Sequence, residues 1–192
     1  MCIVTCSIIG KIKELTDERM IYMISNELFT MLNSQLNFEL SSIHVYIAMQ
    51  AYCESQDLKG FSNFFKVQTE EERFHAMRFF NYINQMNGRV TLEAIQTPKN
   101  DFQDILNVFK DALAHEKIVT SRIYALMDKS MEEREHATIS FLKWFIDEQV
   151  EEEETFSSII KRLERINDDS AAIYMLDQEL SQRTFVPPTT TV

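Results

Sequence analysis

The sequence predicts an all-α protein: a four-helix bundle of two hairpins joined by a long crossover, with a short fifth helix near the C-terminal end. Three observations predict it. Only three Gly and three Pro occur in 192 residues, too few turn residues for a sandwich, a barrel or a doubly wound sheet. Apolar residues recur at helical spacing over four long segments. The one long stretch without that period falls midway, between the second segment and the third. Hydrophobic residues at 45% and charged residues at 26% are the balance of one globular domain.

In the first segment Leu28, Leu32, Leu36, Ile43 and Ile47 step by four or seven, with Asn, Gln and Ser between them. They give a helix of about 25 residues that ends before the polar stretch Glu54–Gly60. A second helix runs from Phe61 through Phe64, Phe65, Phe79, Ile83 and Met86, with Gly88 as its C-cap. The aperiodic stretch Arg89–Asp101 contains Pro98 and, when extended, is long enough to cross a bundle from end to end. A third helix starts near Asp101 or Phe102 and carries Ile105, Phe109, Ala112, Val119, Ile123 and Met127. After a break at Met131–Glu135, a fourth carries Ile139, Leu142, Phe145, Phe156, Ile159 and Leu163. The short last helix, Ala171–Leu180, puts Ile173, Leu176 and Leu180 on one face. Two hairpins joined by a single long connection differ from the simple up-down-up-down bundle.

The domain so defined is 23–182. The apolar run Cys2–Ile9 has no basic residue before it and no cleavage site after it, and it falls far short of the roughly 20 residues that span a membrane. Residues 1–22 therefore read as a poorly ordered extension, or as the result of an upstream start with the working protein beginning near Met20 or Met23. The tail 183–192, with Pro187, Pro188 and its threonines, reads as disordered. A net charge of −11 argues against a nucleic-acid partner and suits the handling of cations. Cys2, Cys6 and Cys53 make no disulfide framework, which points to a reducing, cytoplasmic compartment. No membrane partner is expected.

What interrupts the apolar stripes carries the chemistry. The first stripe reads Leu28, Leu32, Leu36, Glu39, Ile43, Tyr46, and the second Phe61, Phe65, Gln68, Glu72, His75, Phe79, Ile83. The third reads Ile105, Phe109, Ala112, Glu116, Val119, Ile123; the fourth reads Leu142, Phe145 or Ile146, Gln149, Glu152, Phe156, Ile159. Each long helix thus has a polar break near its middle, and in an antiparallel bundle the four breaks meet at one height. Glu39 and Glu72 are 33 residues apart, as are Glu116 and Gln149, so the two hairpins carry equivalent polar positions. No Lys or Arg lies on these stripes. Buried carboxylates without a countercharge cost several kcal/mol each, and a multivalent metal removes that cost.

Glu72 and His75, at i and i+3, present a carboxylate and an imidazole on one helix face, a pair that suits iron. Di-iron carboxylate bundles use one Glu from each of two helices and a Glu-x-x-His from each of the others. Here Glu39 and Glu116 are the single residues and Glu72/His75 is one full motif. The fourth helix has Gln149-x-x-Glu152 in place of the second. The expected centre is asymmetric, holding one iron well and the other loosely, which suits a site that passes its product on. A lone Glu-x-x-His is common by chance; it is the conjunction on four helices that carries the inference. Tyr46 is either core filling with its hydroxyl on a carboxylate or a one-electron donor beside the metals. His44, His115 and His136 read as surface or cap residues, Cys53 as a small hydrophobe, and Trp144 as core or subunit contact. The run Glu148–Glu154 is either a solvated acidic face or, with Glu71, Glu148, Glu151 and Glu152, an all-oxygen site for a third cation.

Asn37-Phe-Glu39-Leu-Ser-Ser with Tyr46, Glu70-Glu-Glu72-Arg-Phe-His75-Ala-Met, His115-Glu116 and Phe141-Leu-Lys-Trp144-Phe-Ile-Asp-Glu148-Gln149-Val-Glu151-Glu152 resemble bacterial non-haem ferritin over about Met23 to Leu180. The resemblance implies a ferritin-like bundle and a subunit that oxidises Fe²⁺ to Fe³⁺ with O₂ or peroxide. It also implies a cage of 24 copies that stores ferric mineral. Carried over, Glu39, Glu72 and His75 would hold the first iron, with Glu72 bridging. Glu116 and Glu152 would hold the second, with Gln149 beside it, and Glu71, Glu148, Glu151 and Glu152 the third; Tyr46 would adjoin the centre. The missing second Glu-x-x-His departs from haem-binding bacterioferritin, so no haem is expected. Rubrerythrin-like peroxidases carry a Cys-x-x-Cys pair that this chain lacks. Small DNA-protecting ferritins place their site between subunits, whereas these residues lie on four helices of one chain. A helical module holding only structural metal is the non-enzymatic alternative.

Overall fold

The computed structural model describes residues 24–167 and 169–188. The expectations for the extension 1–22 and for the last residues of the tail fall outside the described residues. Five helices follow in order: α1 (Asn26–Ser55), α2 (Lys59–Gln85), α3 (Ile105–Glu132), α4 (His136–Ile166) and α5 (Ser170–Leu180). No strand occurs among the described residues. The four long helices form the predicted bundle, α1 pairing with α2 and α3 with α4, and α5 lies against α2.

Local chemistry sets the helix ends. Ser25 caps α1 by accepting from Leu28 N at 3.0 Å, and its hydroxyl donates to Glu133 Oε1 at 2.8 Å, tying the start of α1 to the α3–α4 turn. Helix α2 starts two residues before the expected Phe61 and has no capping side chain of its own at Leu58. Asp177 of α5 supplies the cap, its Oδ1 accepting from Gly60 N at 2.7 Å and Phe61 N at 3.0 Å. The close approach demands glycine, because a Cβ on Gly60 would overlap the Asp177 carbonyl. At the other end of α2, Asn87 rather than Gly88 takes the left-handed conformation, with φ 60°. Gly88 N donates to Ile83 O at 2.8 Å, and a Cβ there would run into the Phe29 ring. Glycine is required at 88 for space, not for handedness. Helix α3 starts at Ile105, later than expected, because Asp104 accepts from Asn107 N at 2.7 Å as its cap.

The crossover runs beside α1 and is held by two side chains one turn apart. Asn33 donates to Arg89 O at 3.2 Å and accepts from Thr91 N at 2.9 Å; Asn37 donates to Thr91 O and accepts from Glu93 N, both at 2.9 Å. Two amides thus satisfy an aperiodic backbone in the way a neighbouring strand would.

The core is divided in two. One apolar half gathers Tyr46, Phe61, Phe65, Phe109 and Phe156, and the other Leu28, Leu32, Phe79, Ile123 and Phe145. Most stripe residues are buried as expected; Ile105 is half-buried, and on α1 Ile43 and Ile47 leave the core line. Ile43 is half-buried and Ile47 is 47% exposed, while Ser42, Tyr46 and Met49 face inward. After Glu39 the inward line continues at steps of three and four, and Ile43 and Ile47 fall outside it.

Candidate metal centre

Between the two apolar halves lies a belt of buried polar side chains: Gln35, Glu39, Gln68, Glu72, His75, Glu116, Gln149 and Glu152. All four long helices contribute. Glu39, Glu72 and His75 offer ligand atoms within 4.8 Å of one another, and His75 Nδ1 stands 3.8 Å from Glu72 Oε2. Glu116 faces the same belt from α3, where the Tyr46 hydroxyl donates to its Oε1 and Gln149 Nε2 donates to its Oε2 at 3.1 Å. Glu152 accepts from Gln68 Nε2 at 2.8 Å. A second group, His75, Glu148 and Glu152, also lies within 4.8 Å.

The electrostatics are those of carboxylates buried together without a countercharge. Glu39 Oε2 and Glu72 Oε2 are buried and have no hydrogen-bond partner. Burial, reinforced by the neighbouring Glu72, pushes Glu39 up to about 8. Burial and then Glu116 drive Glu72 well above the carboxylate range, and burial followed by Glu116 does the same to Glu152. Burial also raises Glu116. A bound cation reverses this balance, since it favours the ionised form of every group in the belt.

The flank is less uniform. Glu148 and Glu71 are half-buried and raised chiefly by burial. Glu71 is engaged by Arg183, whose Nη2 donates to its Oε2 at 2.6 Å. Glu151 is exposed and belongs to neither metal-capable group; it lines a surface depression with Glu154, Arg162 and Arg183. Residues 183–188, assigned to the tail by the sequence, lie partly against α2: Asn63 donates to Arg183 O at 2.9 Å, and the Phe185 and Phe74 rings are 6.1 Å apart.

Tyr46 is wholly buried, stacked on Phe65 and Phe156, with its hydroxyl on a carboxylate. Burial and the Glu116 charge push its pKa well above the ordinary phenol value. His44 and His136 are exposed as expected, but His115 is not. It is half-buried, its ring stacked on Phe38 at 5.2 Å and its Nε2 2.7 Å from Ser42 Oγ. Desolvation lowers it to about 4, so it is neutral. It lies on the side of α3 that faces Phe38 and Ser42 of α1, a contact between helices that a reading of single stripes misses. Cys53 is buried, and desolvation pushes its thiol up to about 12, an inert small hydrophobe as expected. Trp144 is half-buried, 5.5 Å from the His75 ring.

The sequence reading missed Gln35, Arg122 and Arg183. Gln35 Nε2 donates to Glu39 Oε1 at 2.8 Å. A signal for it exists, because Gln35 and Gln68 are 33 residues apart, the same interval as Glu39 and Glu72.

Residues 29–166 match the model of the ferritin-like domain family. The bacterial non-haem ferritin of Staphylococcus aureus strain USA300 is 47% identical over 163 residues, 85% of this chain and 98% of that protein. Its Staphylococcus epidermidis counterpart is 46% identical over the same shares. Among solved structures, the open-pore ferritin of the hyperthermophilic archaeon Archaeoglobus fulgidus superposes with a TM-score of 0.83 at 40% identity, covering 84% of this chain and 99% of its own. The chain belongs to the bacterial non-haem ferritin family.

Proposed function

We propose that this chain is an iron-storage ferritin that oxidises Fe²⁺ at a di-iron centre inside each subunit and deposits Fe³⁺ as mineral within a cage of 24 copies. The observation that carries the reading is the belt itself. Four buried carboxylates and an imidazole come from four helices of one chain, and two carboxylate oxygens lack any partner. Such a group is costly without a cation and favourable with two.

In this reading Fe²⁺ is the substrate. Glu39, Glu72 and His75 receive one ion, with Glu72 turned to both; Glu116 and Glu152 receive the other, with Gln149 beside it. Each Fe²⁺ gives up one electron, and O₂ or peroxide takes them. The anionic, water-poor belt favours the higher charge of Fe³⁺. A neutral amide at Gln149 in place of a further anion keeps the second ion loosely held, so the product leaves. Glu148, Glu71, Glu151 and Glu152 form the flank where a third ion binds, and no haem is bound. The proposed compartment is the cytoplasm; no described helix is long and apolar enough to cross a membrane.

The test is anaerobic addition of Fe²⁺ followed by air, on wild type and on Glu72→Ala/His75→Ala. The wild type is expected to oxidise and retain iron well beyond two or three ions per chain. The variant is expected to remain assembled and to oxidise at least about tenfold more slowly. Wild-type oxidation rates in the variant would overturn the assignment.

A further inference from the structure

Two arginines reach the belt from outside the apolar stripes, each through a buried glutamine. On the α1 side, Gln35 donates from Nε2 to Glu39 Oε1 at 2.8 Å and accepts on Oε1 from Arg122 Nε at 2.8 Å. Arg122, on α3, is itself fixed by Ser34, which accepts from Nη2 at 2.8 Å, and by the Phe38 ring, 4.4 Å from the guanidinium carbon. On the α2 side, Gln68 donates from Nε2 to Glu152 Oε2 at 2.8 Å and accepts on Oε1 from Arg183 Nη1 at 3.0 Å. Arg183, just beyond α5, lies over the Phe64 ring at 4.3 Å and also donates to Phe64 O at 3.3 Å and to Glu71. Gln35 is 1% exposed and Gln68 0%, so no solvent competes for either amide.

The chemistry of these groups gives each relay a direction. A carboxamide has one accepting end and one donating end, and a guanidinium has donors only. Arg122 and Arg183 can therefore meet only the oxygen of their glutamines. That turns the amide N–H toward the carboxylate; the flipped amide would set oxygen against oxygen and nitrogen against guanidinium. Each carboxylate receives a hydrogen bond polarised by a full charge two residues away.

We propose that Arg122 and Arg183 are positioning residues of the metal centre, each acting through its glutamine on one carboxylate: Arg122 through Gln35 on Glu39, and Arg183 through Gln68 on Glu152. The inference rests on the di-iron reading above, in which those two carboxylates serve different ions, so the two relays control the two ions separately. Outer partners of metal ligands are worth about 10–100-fold in affinity, and a relay one residue further out belongs at the lower end of that range.

Anaerobic titration of the assembled protein with Co²⁺, followed by its visible spectrum and by calorimetry, tests this. The wild type is expected to bind its first two ions per chain in a tight and a weaker step, with a third ion on the Glu148 flank adding only a later step that is weaker still. Arg122→Met should weaken the tight step by about tenfold and leave the weaker one alone, and Arg183→Met should do the reverse. Arg122→Lys, which keeps one charged donor, should recover much of the loss. In a Gln35→Met background Arg122→Met should add nothing, and Gln68→Met should likewise cancel the effect of Arg183→Met on the weaker step. Unfolding temperature and particle mass establish that each variant is intact. Two wild-type steps unchanged in Arg122→Met, or the same loss with and without Gln35, would overturn the relay and leave the di-iron reading standing. Fewer than two ions bound by the wild type would overturn both.

Discussion

At the scale of single residues, the belt costs stability that the proposed binding of cations would offset. Glu39 and Glu72 are buried, close together and incompletely hydrogen-bonded. Replacing Glu72 with Gln keeps the shape and removes a group that must either take up a proton or bury a charge on folding. The metal-free variant is expected to be more stable at pH 7 by about 1–2 kcal/mol, a rise of roughly 2–8 °C in Tm for a chain of this size, while Fe²⁺ oxidation falls. Calorimetry of the chelated proteins beside an oxidation assay checks both halves. Protonation gives a second prediction. With its pKa at about 8 in the fold against an ordinary 4.5, Glu39 binds its proton more tightly folded than unfolded. Its contribution is fully present below about pH 4.5 and is lost as pH rises through 8. The metal-free protein should therefore lose stability between those limits, and Co²⁺ at saturating concentration should abolish the loss by taking the proton's place. A metal-free Tm that climbs across this window would contradict the burial of these groups. Glu39, Glu72, His75 and Glu116 could be picked out in the sequence because a charge inside an apolar stripe breaks a pattern. Gln35 breaks none, since a glutamine between leucines also suits a solvated face. Arg122 and Arg183 approach from other elements, and the reach of a long side chain across a bundle is a tertiary property that periodicity does not encode.

At the scale of elements, the four long helices and the crossover follow from period and composition, whereas their junctions depend on contacts between distant segments. Helix α2 lacks a local cap and borrows Asp177 from a helix more than a hundred residues later in the chain. Nothing near Leu58 in the sequence announces this. Asp177→Ala should leave the Gly60 and Phe61 N–H groups buried without acceptors, a cost of about 1–3 kcal/mol. Hydrogen exchange should show the first turn of α2 and the whole of α5 opening together, with the far end of α2 unaffected. Uniform acceleration along α2 would mean that α5 does not act as its cap. The same contact explains why so short a helix is retained: eleven residues are too few to be stable alone, but Leu176 and Leu180 join the main core while Asp177 closes α2. The displacement of Ile43 and Ile47 from the core has a comparable origin. Alternative apolar spacings on α1 are equally helical, and the neighbours opposite Ser42 and Tyr46 decide which one faces inward.

At the scale of the whole molecule, the polar belt divides the bundle into two apolar halves that are each complete. One half is closed by stacked and edge-on rings of Tyr46, Phe64, Phe65, Phe109 and Phe156, the other by Phe79, Tyr82, Phe141 and Phe145. Because each half has an apolar cluster of its own, the chain is expected to fold without metal, in contrast to small domains that are unstructured without their ion. Chelation should leave the helical circular-dichroism signal and the particle mass unchanged, and metal should return only the stabilisation expected of a bound ligand, about 2.7 kcal/mol at a hundredfold excess over Kd. Storage makes a stronger demand than binding. If the belt only retained ions, uptake would stop at two or three per chain. If it passes Fe³⁺ on, iron must accumulate inside a closed shell, and the particle must be large enough to enclose it. Sedimentation should therefore give about 24 times the 22.6 kDa of the chain before iron is added, and a denser particle of the same outer size afterwards. A monomer or dimer that oxidises iron and then precipitates it in bulk solution would leave the belt as an oxidation site but would remove the case for storage.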